Sequence, residues 1–199
     1  MNTSKVSFRR LEFIGRMTVC ALVVCVLPAC SSMRTASDIE TVRLVSEARI
    51  VLLNFMRDPN QAWIQQNLSN ARGVLISPRI LRAGFIVGGS GGRALLVARD
   101  GRTWAGPAFY DLLTASVGFQ AGVDTSEVVI VVMTDKGLNS LLSPSFKIGV
   151  DASIAVGPVG AGARSTVIAD LVAFTRAKGL YAGVNLDGTV VNANAAWNK

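Results

Sequence analysis

From Gly73 to the C-terminus, apolar residues alternate with small or polar ones, and this pattern limits the chain more than any other feature. Of its 19 glycines, 18 lie in this part. A period of two predicts β-strands with one buried face. The clearest such strands are predicted over 146–156, 115–123 and 180–186, and six consecutive apolar residues at 128–133 predict an internal strand covered on both sides.

Turns between these strands are predicted where glycine follows aspartate or another glycine. The sites are 88–92, Asp100-Gly101 and Asp187-Gly188, which suit the positive φ of tight hairpins. The run 88–92 also fits a dinucleotide-binding glycine string. That string opens a helix, whereas strand-like residues follow it here, so we interpret the run as a hairpin loop.

The residues before Gly73 have a helical period instead. Ser37 and Glu40 have the spacing of a capping box, which predicts a helix from Ser37 to about Arg57. Its apolar stripe is predicted to be Val45, Ala48, Leu52 and Phe55.

A second and a third helix are predicted from their start signals. Asp58-Pro59 ends the first helix and starts another, which packs through Ala62, Trp63 and Leu68. A short helix is predicted from Thr134 or Asp135 to Leu142. The predicted fold class is α+β, with N-terminal helices followed by a strongly curved antiparallel, barrel-like β-sheet that contains one short inserted helix.

Residues 1–29 have the form of a secretion signal. A basic lead precedes 13 uncharged residues at 17–29, fewer than the roughly 20 that a membrane-spanning helix needs. Leu27, Ala29 and Cys30 resemble a bacterial lipobox, in which Cys30 is the first mature residue and carries acyl chains such as palmitate. Pro28 departs from that motif, and ordinary cleavage near Ala29 to give a secreted protein is the alternative.

This interpretation divides the chain into a lipoprotein signal peptide at 1–29, a lipidated Cys30 with a polar tether at 30–36, and one domain at 37–199. Ser31, in place of Asp, favours transfer to the outer membrane of a Gram-negative bacterium, by the sorting rule of related bacteria. We expect covalent acyl chains at Cys30 to hold the protein on a bilayer.

The composition excludes several kinds of chemistry. The chain has no His, and its three cysteines all lie within the first 30 residues. Imidazole catalysis, imidazole metal sites and a cysteine nucleophile in the domain are therefore excluded, and we expect no catalytic residue, metal or cofactor. The net charge of +7 falls when the basic signal is removed, so no nucleic-acid partner is expected.

Several segments, in this order, resemble the SYLF-domain family. They are ARGVLISP (71–78), AGFIVGG (83–89), WAGPAFY (104–110), SVGFQAG (116–122), VVMTDK (131–136), GPVG (157–160) and KGLYAGV (178–184). The resemblance covers about residue 37 to the C-terminus. It implies non-enzymatic phospholipid binding, best known for phosphoinositides in the eukaryotic members, which act in membrane trafficking and actin patches. Bacterial envelopes generally lack phosphoinositides, so the expected ligand is an anionic bacterial phospholipid, and actin binding is not carried over.

The distribution of basic residues predicts where the domain contacts lipid. Five arginines and no acidic residue lie between Pro59 and Arg99. Each cation near an anionic bilayer contributes about 1 kcal/mol. The predicted lipid-binding residues are Arg72, Arg79, Arg82 and Arg93, with Lys136, Lys147 and Lys178 as weaker candidates.

Arg79 and Arg82 flank Ile80 and Leu81, an apolar pair that we expect at the headgroup boundary. The alternative is a solvated loop whose arginines pair with Asp124 or Glu127.

Two other functions remain open from the sequence. The domain could contact another envelope component while the acyl chains alone provide the anchor. It could also be a hydrolase that uses a carboxylate pair, either Asp124 with Glu127 or Asp135 with Asp151.

Overall fold

The structure is a computed structural model that describes residues 29–84, 87–117, 122–160, 167–178 and 186–199. The chain divides into two units, Met1–Glu40 and Thr41–Lys199. The sheet and the sites discussed below belong to the second unit. Of the predicted signal peptide at 1–29, residues 1–28 lie outside the described residues.

Three α-helices are described. Helix α1 is Ala29–Arg57, α2 is Ala62–Asn67 and α3 is Asp135–Leu142, with short 3-10 segments at Pro59–Gln61 and Leu68–Asn70. The predicted ends are confirmed, because α1 stops before Pro59 and Asp58 accepts a hydrogen bond from the backbone N–H of Asn60 at 2.9 Å. Thr134 caps α3 by accepting from Gly137 N–H at 3.0 Å.

The predicted start of α1 is wrong. The helix begins at Ala29, so Ser37 lies inside it and the predicted tether 31–36 is helical. Those six residues contain neither Gly nor Pro, so nothing local breaks the helix before the capping-box sequence. The buried stripe is Leu44, Ala48, Val51 and Phe55. Ala48 and Phe55 were predicted, whereas Val45 is exposed and Leu52 is only partly buried.

Eight strands form one curled sheet, a half-barrel. They are β1 (Gly73–Gly84), β2 (Val87–Asp100), β3 (Thr103–Val117), β4 (Gly122–Val132), β5 (Ser145–Lys147), β6 (Ile154–Val156), β7 (Leu171–Lys178) and β8 (Val190–Ala193). Their order is β5-β8-β3-β2-β1-β4-β7-β6. The predicted fold class is confirmed, with the difference that β6 pairs with β7 in parallel.

The two faces of the sheet carry separate cores. We call the side that packs against Leu141, Phe146 and Ile148 the inner face, and the side covered by α1 and α2 the outer face. Strand β4 alternates between them: Val128, Ile130 and Val132 pack on the inner face, and Val129 and Val131 on the outer face. The prediction of an internal strand covered on both sides is therefore confirmed.

Two strand predictions differ from the structure. Residues 146–156 form β5 and β6 rather than one strand, because the chain turns at Gly149, whose φ of +83° ends the extended run. The predicted strand 115–123 falls partly on β3 and partly on β4. Its middle, 118–121, lies outside the described residues, as do residues 180–185 of the strand predicted at 180–186.

The predicted hairpin loop at 88–92 is also wrong, since these residues lie within β2 and pair with both β1 and β3. Strand β1 contains a bulge between Ser77 and Ile80, where it advances three residues while its neighbours advance two. A Cβ on Gly92 would lie 2.5 Å from the backbone oxygen of Arg79. Glycine is needed here for this close approach, not for a turn.

Candidate functional site

The bulge in β1 divides the sheet into two halves, each with an inner and an outer face. On the Gly73 side, which we call the covered half, Val74, Ile76 and Val129 are buried under the helices. Past the bulge, in what we call the open half, large apolar side chains are exposed: Leu81 by 49%, Leu113 by 56% and Val123 by 70%. Exposed apolar side chains that lie together mark a contact surface more often than scattered ones do.

At the border of the two halves, the strand register aligns Arg79 of β1, Arg93 of β2 and Asp111 of β3 on the outer face. We call this line the charged row. The Arg93 guanidinium lies 3.9 Å from a carboxylate oxygen of Asp111 and 4.4 Å from the ring centre of Trp197. Arg79 is exposed and has no ion pair among the residues that the structure describes.

Like charges that are directly opposite on neighbouring strands destabilise a sheet. Arg79 and Arg93 are such a pair. An anion placed between the two guanidinium groups would remove this repulsion and make charge-assisted hydrogen bonds to both. The charged row is therefore suited to bind a phosphate.

Two rows without acidic residues follow the charged row on the outer face. The register of the first runs through Leu81, Gly91 and Leu113 in the middle strands, with Lys147 and Lys178 at its two ends. The second contains Val123, Ala83, Gly89 and Ala115. We call these the apolar rows. Together with the charged row, they form a cationic band beside an apolar surface.

A cavity of about 400 Å³ adjoins this surface where α1 passes the bulge. It is lined by Glu47, Ile50, Val51, Pro78, Arg79, Thr125, Ser126 and Glu127. Volumes of this order hold small ligands or the headgroup of a larger one.

The structure does not bring all the predicted cations together. Arg72 and Lys136 lie at the far end of the covered half, about 30 Å from Arg82 at about 3.3 Å per strand residue. Both are in ion pairs there, Arg72 with Asp135 at 3.1 Å and Lys136 with Asp170 at 3.5 Å.

Asp170 also accepts hydrogen bonds from Thr134 and from the backbone and side chain of Ser153, at 2.6 to 2.9 Å. These bonds, with Lys136 nearby, hold the pKa of its carboxyl well below the ordinary value. The cation of Lys136 is thus bound to a structural carboxylate.

The expectation that Ile80 and Leu81 act as one apolar pair is wrong. Successive strand residues point to opposite faces, so Ile80 is 3% exposed in the inner core whereas Leu81 lies on the outer face. Arg82 follows Ile80 onto the inner face, directly opposite Asp124. Of the predicted lipid-binding residues, Arg79 and Arg93 lie on the outer face of the open half, and Lys147 and Lys178 have register positions there.

Of the two acids in the alternative pairings, Glu127 lies beside Arg176, which is not one of the predicted lipid-binding arginines. Glu127 is 3.5 Å from Arg176, which also contacts Asp58 at 2.9 Å and lies 4.6 Å from the ring centre of Phe55. This network fastens β7 to the end of α1. A backbone hydrogen bond from Asn60, followed by Arg176, lowers the pKa of Asp58.

The carboxylate pair proposed for a hydrolase is not assembled in β4. Asp124 lies on the inner face of that strand and Glu127 on the outer face. Of the second pair, Asp135 binds Arg72, and Asp151 accepts from the backbone N–H of Lys147 at 2.6 Å. Within the described residues, no three His, Cys, Asp or Glu side chains are grouped as metal ligands.

Two parts of this surface were missed from the sequence. Val123 lies in a segment predicted as a strand, and Leu113 lies in none of the predicted elements. The helices that cover the outer face end at the bulge, so both side chains are exposed. The Arg79–Arg93 opposition depends on the register between β1 and β2, which the bulge shifts by one residue. In the described part of the chain, no helix has both the length and the apolar character to cross a bilayer.

Comparison with known proteins gives concordant matches. Residues 113–199 match the family described as Ysc84, Las17-binding protein actin regulator. An SH3 domain-containing protein of Schizosaccharomyces pombe is 34% identical over 155 residues, 71% of this chain and 36% of its own. The chain belongs to the Ysc84/SYLF-domain family.

Other members are similar over the same extent. LAS seventeen-binding protein 3 of Saccharomyces cerevisiae is 29% identical over 160 residues, 73% of this chain and 34% of its own. The human SH3 domain-containing YSC84-like protein 1 is 30% identical over 139 residues, 66% of this chain and 40% of its own. This chain therefore spans about two fifths or less of these relatives, none of which is named as an enzyme. No solved structure matches it significantly.

Proposed function

We propose that the protein is a bacterial lipoprotein that binds anionic phospholipid through the outer face of the open half, without catalysis. The observation that carries this proposal is the opposition of Arg79 and Arg93 beside the apolar rows. A lipid phosphate beside Arg79, which has no ion pair among the described residues, supplies a negative charge between the two guanidinium groups. The neighbouring apolar rows then lie against the acyl boundary of the same bilayer.

The expected energies are sufficient for reversible binding. Full burial of a Leu or Val side chain contributes about 1.5–3 kcal/mol, and partial burial in an interface contributes less. Each cation adds about 1 kcal/mol near an anionic surface. Leu81, Leu113 and Val123, with Arg79 and Arg93, thus give the domain its own affinity, which adds to that of any lipid anchor.

Acylation of Cys30 and a location in the outer membrane of a Gram-negative bacterium complete the proposal. Both are supported by the sequence around residues 17–31. The Las17 and actin terms belong to the names of the family and its eukaryotic relatives. An exported lipoprotein would not meet those partners, so phospholipid is the family property that we carry to this chain.

The experiment compares variants of the full chain in a Cys30→Ser background, which removes acylation. Flotation with phosphatidylcholine vesicles is measured with and without phosphatidylglycerol. We expect Arg79→Glu, a change of two charges, to reduce the phosphatidylglycerol-dependent part of binding about tenfold or more. Arg102→Glu is the matched control, because it is an exposed arginine in the β2–β3 turn at the other end of the sheet.

Equal losses in both variants, or equal binding to neutral and anionic vesicles, would refute the assigned surface. Leu113→Ser should weaken binding to both kinds of vesicle, because it removes apolar contact and no charge. Mass spectrometry of the unmutated chain from a membrane fraction tests the anchor separately. An unmodified Cys30 thiol would refute it.

A further inference from the structure

A second row of polar residues crosses the inner face of the open half. The register aligns Asp124 of β4, Arg82 of β1, Ser90 of β2 and Thr114 of β3 on neighbouring strands. Neighbouring strands lie about 4.8 Å apart. Ser126 lies on the same face, one step closer to the inner core, opposite Ile80.

Two members of this group are buried and have no hydrogen-bond partner for their side chains among the described residues. Asp124 is 4% exposed and Ser126 is 2% exposed. Neither carboxylate oxygen of Asp124, nor the hydroxyl of Ser126, has a hydrogen-bond partner in the part of the chain that the structure describes. Burial of a carboxylate without hydrogen bonds or a cation is costly, so such groups in a native protein indicate a missing donor.

Arg82 does not supply that donor. It lies opposite Asp124 in the register, yet it has no ion pair among the described residues, and both carboxylate oxygens remain unbonded. Arg82, Ser90 and Thr114 are half-buried, so the row is accessible from its middle. The hydroxyl of Thr114 is 2.7 Å from that of Thr189, which fixes this end of the row.

The inner face thus holds a group that needs N–H donors one strand away from a guanidinium that needs an anion. We propose that Arg82, Asp124 and Ser126 bind a phosphoethanolamine group. Its primary ammonium donates to both oxygens of Asp124 and to the Ser126 hydroxyl. Its phosphate accepts from Arg82, with the Ser90 hydroxyl beside it.

The geometry fits this ligand better than its methylated analogue. The two-carbon link of phosphoethanolamine separates its charges by about one strand spacing, about 4.8 Å. A trimethylammonium group has no N–H, so phosphocholine would leave Asp124 and Ser126 without donors. The site should therefore select ethanolamine over choline, as buried polar groups select ligands that satisfy them.

This site lies on the opposite face of the sheet from the charged row and does not depend on it. The test titrates the full chain, in neutral detergent, with soluble glycerophosphoethanolamine and with glycerophosphocholine, followed by amide NMR shifts. A parallel arm uses micelles doped with phosphatidylethanolamine or phosphatidylcholine. We expect at least about tenfold preference for the ethanolamine form, from hydrogen bonds to charged groups.

Binding of the soluble compound would indicate a free phosphoethanolamine ligand, and binding only of the doped micelles would indicate a membrane lipid. Either result supports the site. Equal affinity for choline and ethanolamine, or no binding in both arms, would overturn it. Arg79→Glu should leave the preference unchanged, so that failure of the outer surface and failure of this site give different results.

Three variants identify the residues. Asp124→Asn should remove the preference for ethanolamine, while binding through the phosphate persists. Arg82→Gln should weaken the binding of both the ethanolamine and the choline compound. If Asp124→Asn does not fold, Ser126→Ala gives the same test with a smaller loss of preference. An unchanged preference in a folded Asp124→Asn or Ser126→Ala variant would refute the assignment.

Discussion

The covered and open halves of the sheet are made from the same strands but differ in how far their side chains are buried and in how their charges are paired. In the covered half, Val74, Ile76 and Val129 are buried under the helices, and the predicted cations Arg72 and Lys136 are paired with acids. In the open half, Leu113 and Val123 are exposed, and Arg79 faces another arginine. We infer from this difference that the outer face of the covered half contributes more to stability than the outer face of the open half does.

The sharpest test of this division is a pair of truncations, one in each half. Phe55 is fully buried between α1 and the covered half, so Phe55→Ala leaves a cavity there. It should lower the free energy of unfolding by about 3–5 kcal/mol. Leu113→Ala, in the open half, should change it by about 0.5 kcal/mol or less. Urea unfolding measures both, and similar losses would contradict the division.

A smaller effect is expected from Asp170, whose hydrogen bonds tie α3 and β6 to β7 in the covered half. Asp170→Ala should cost about 3 kcal/mol at pH 7, from bonds to a charged acceptor. The pKa of this carboxyl is lowered in the folded state. The stabilisation that the Asp170 carboxylate gives the folded state is therefore complete above the unfolded pKa of about 3.9, and it is lost as the pH falls below that value towards the folded pKa.

Unfolding of the unmutated chain and of Asp170→Ala, measured between pH 7 and pH 2.5, should give stabilities that converge in acid. A difference that stays constant with pH would assign the loss to packing instead.

The smallest effect concerns the bulge itself. Gly92→Ala places a Cβ against the backbone of Arg79 and Ile80 and should cost about 2 kcal/mol. Gly91→Ala is the matched control, since the nearest atom to its Cβ is a Leu113 side-chain carbon at 3.5 Å. Thermal unfolding should give a lower midpoint temperature for Gly92→Ala than for Gly91→Ala. Equal stability would mean that the bulge does not fix the boundary between the halves.

Much of the fold was predictable because its signals are local. The Asp58 cap, the Thr134 cap and the doubly covered run at 128–132 each depend on a few consecutive residues. The capping-box spacing at Ser37 and the glycine run at 88–92 were misleading for the same reason. The local pattern at Ser37 does not show that the helix began at Ala29. The glycine run does not show that Gly92 is close to the backbone of Arg79 on the neighbouring strand.

The candidate site was predicted only by residue type. A cluster of arginines without acids indicated an anion-binding surface, and resemblance to the SYLF domain indicated phospholipid. The register then separated Arg72 from Arg79 along the sheet and Arg79 from Arg82 across it. The first separation follows from distance along β1, and the second from the alternation of strand faces. Only the opposition of Arg79 and Arg93 depends on the bulge, which neither the apolar periodicity nor the turn residues locate.

The amino-acid sequence alone predicts an α+β chain of the SYLF type, without histidine and with arginines but no acidic residues between Pro59 and Arg99. Those properties follow from composition and short-range periodicity. The strand register determines that Arg79 lies opposite Arg93, and that the carboxylate of Asp124 is buried with no hydrogen-bond donor among the described residues. The physical reason is that a side chain's partners come from neighbouring strands, and one extra residue at Pro78–Arg79 changes which residues those are.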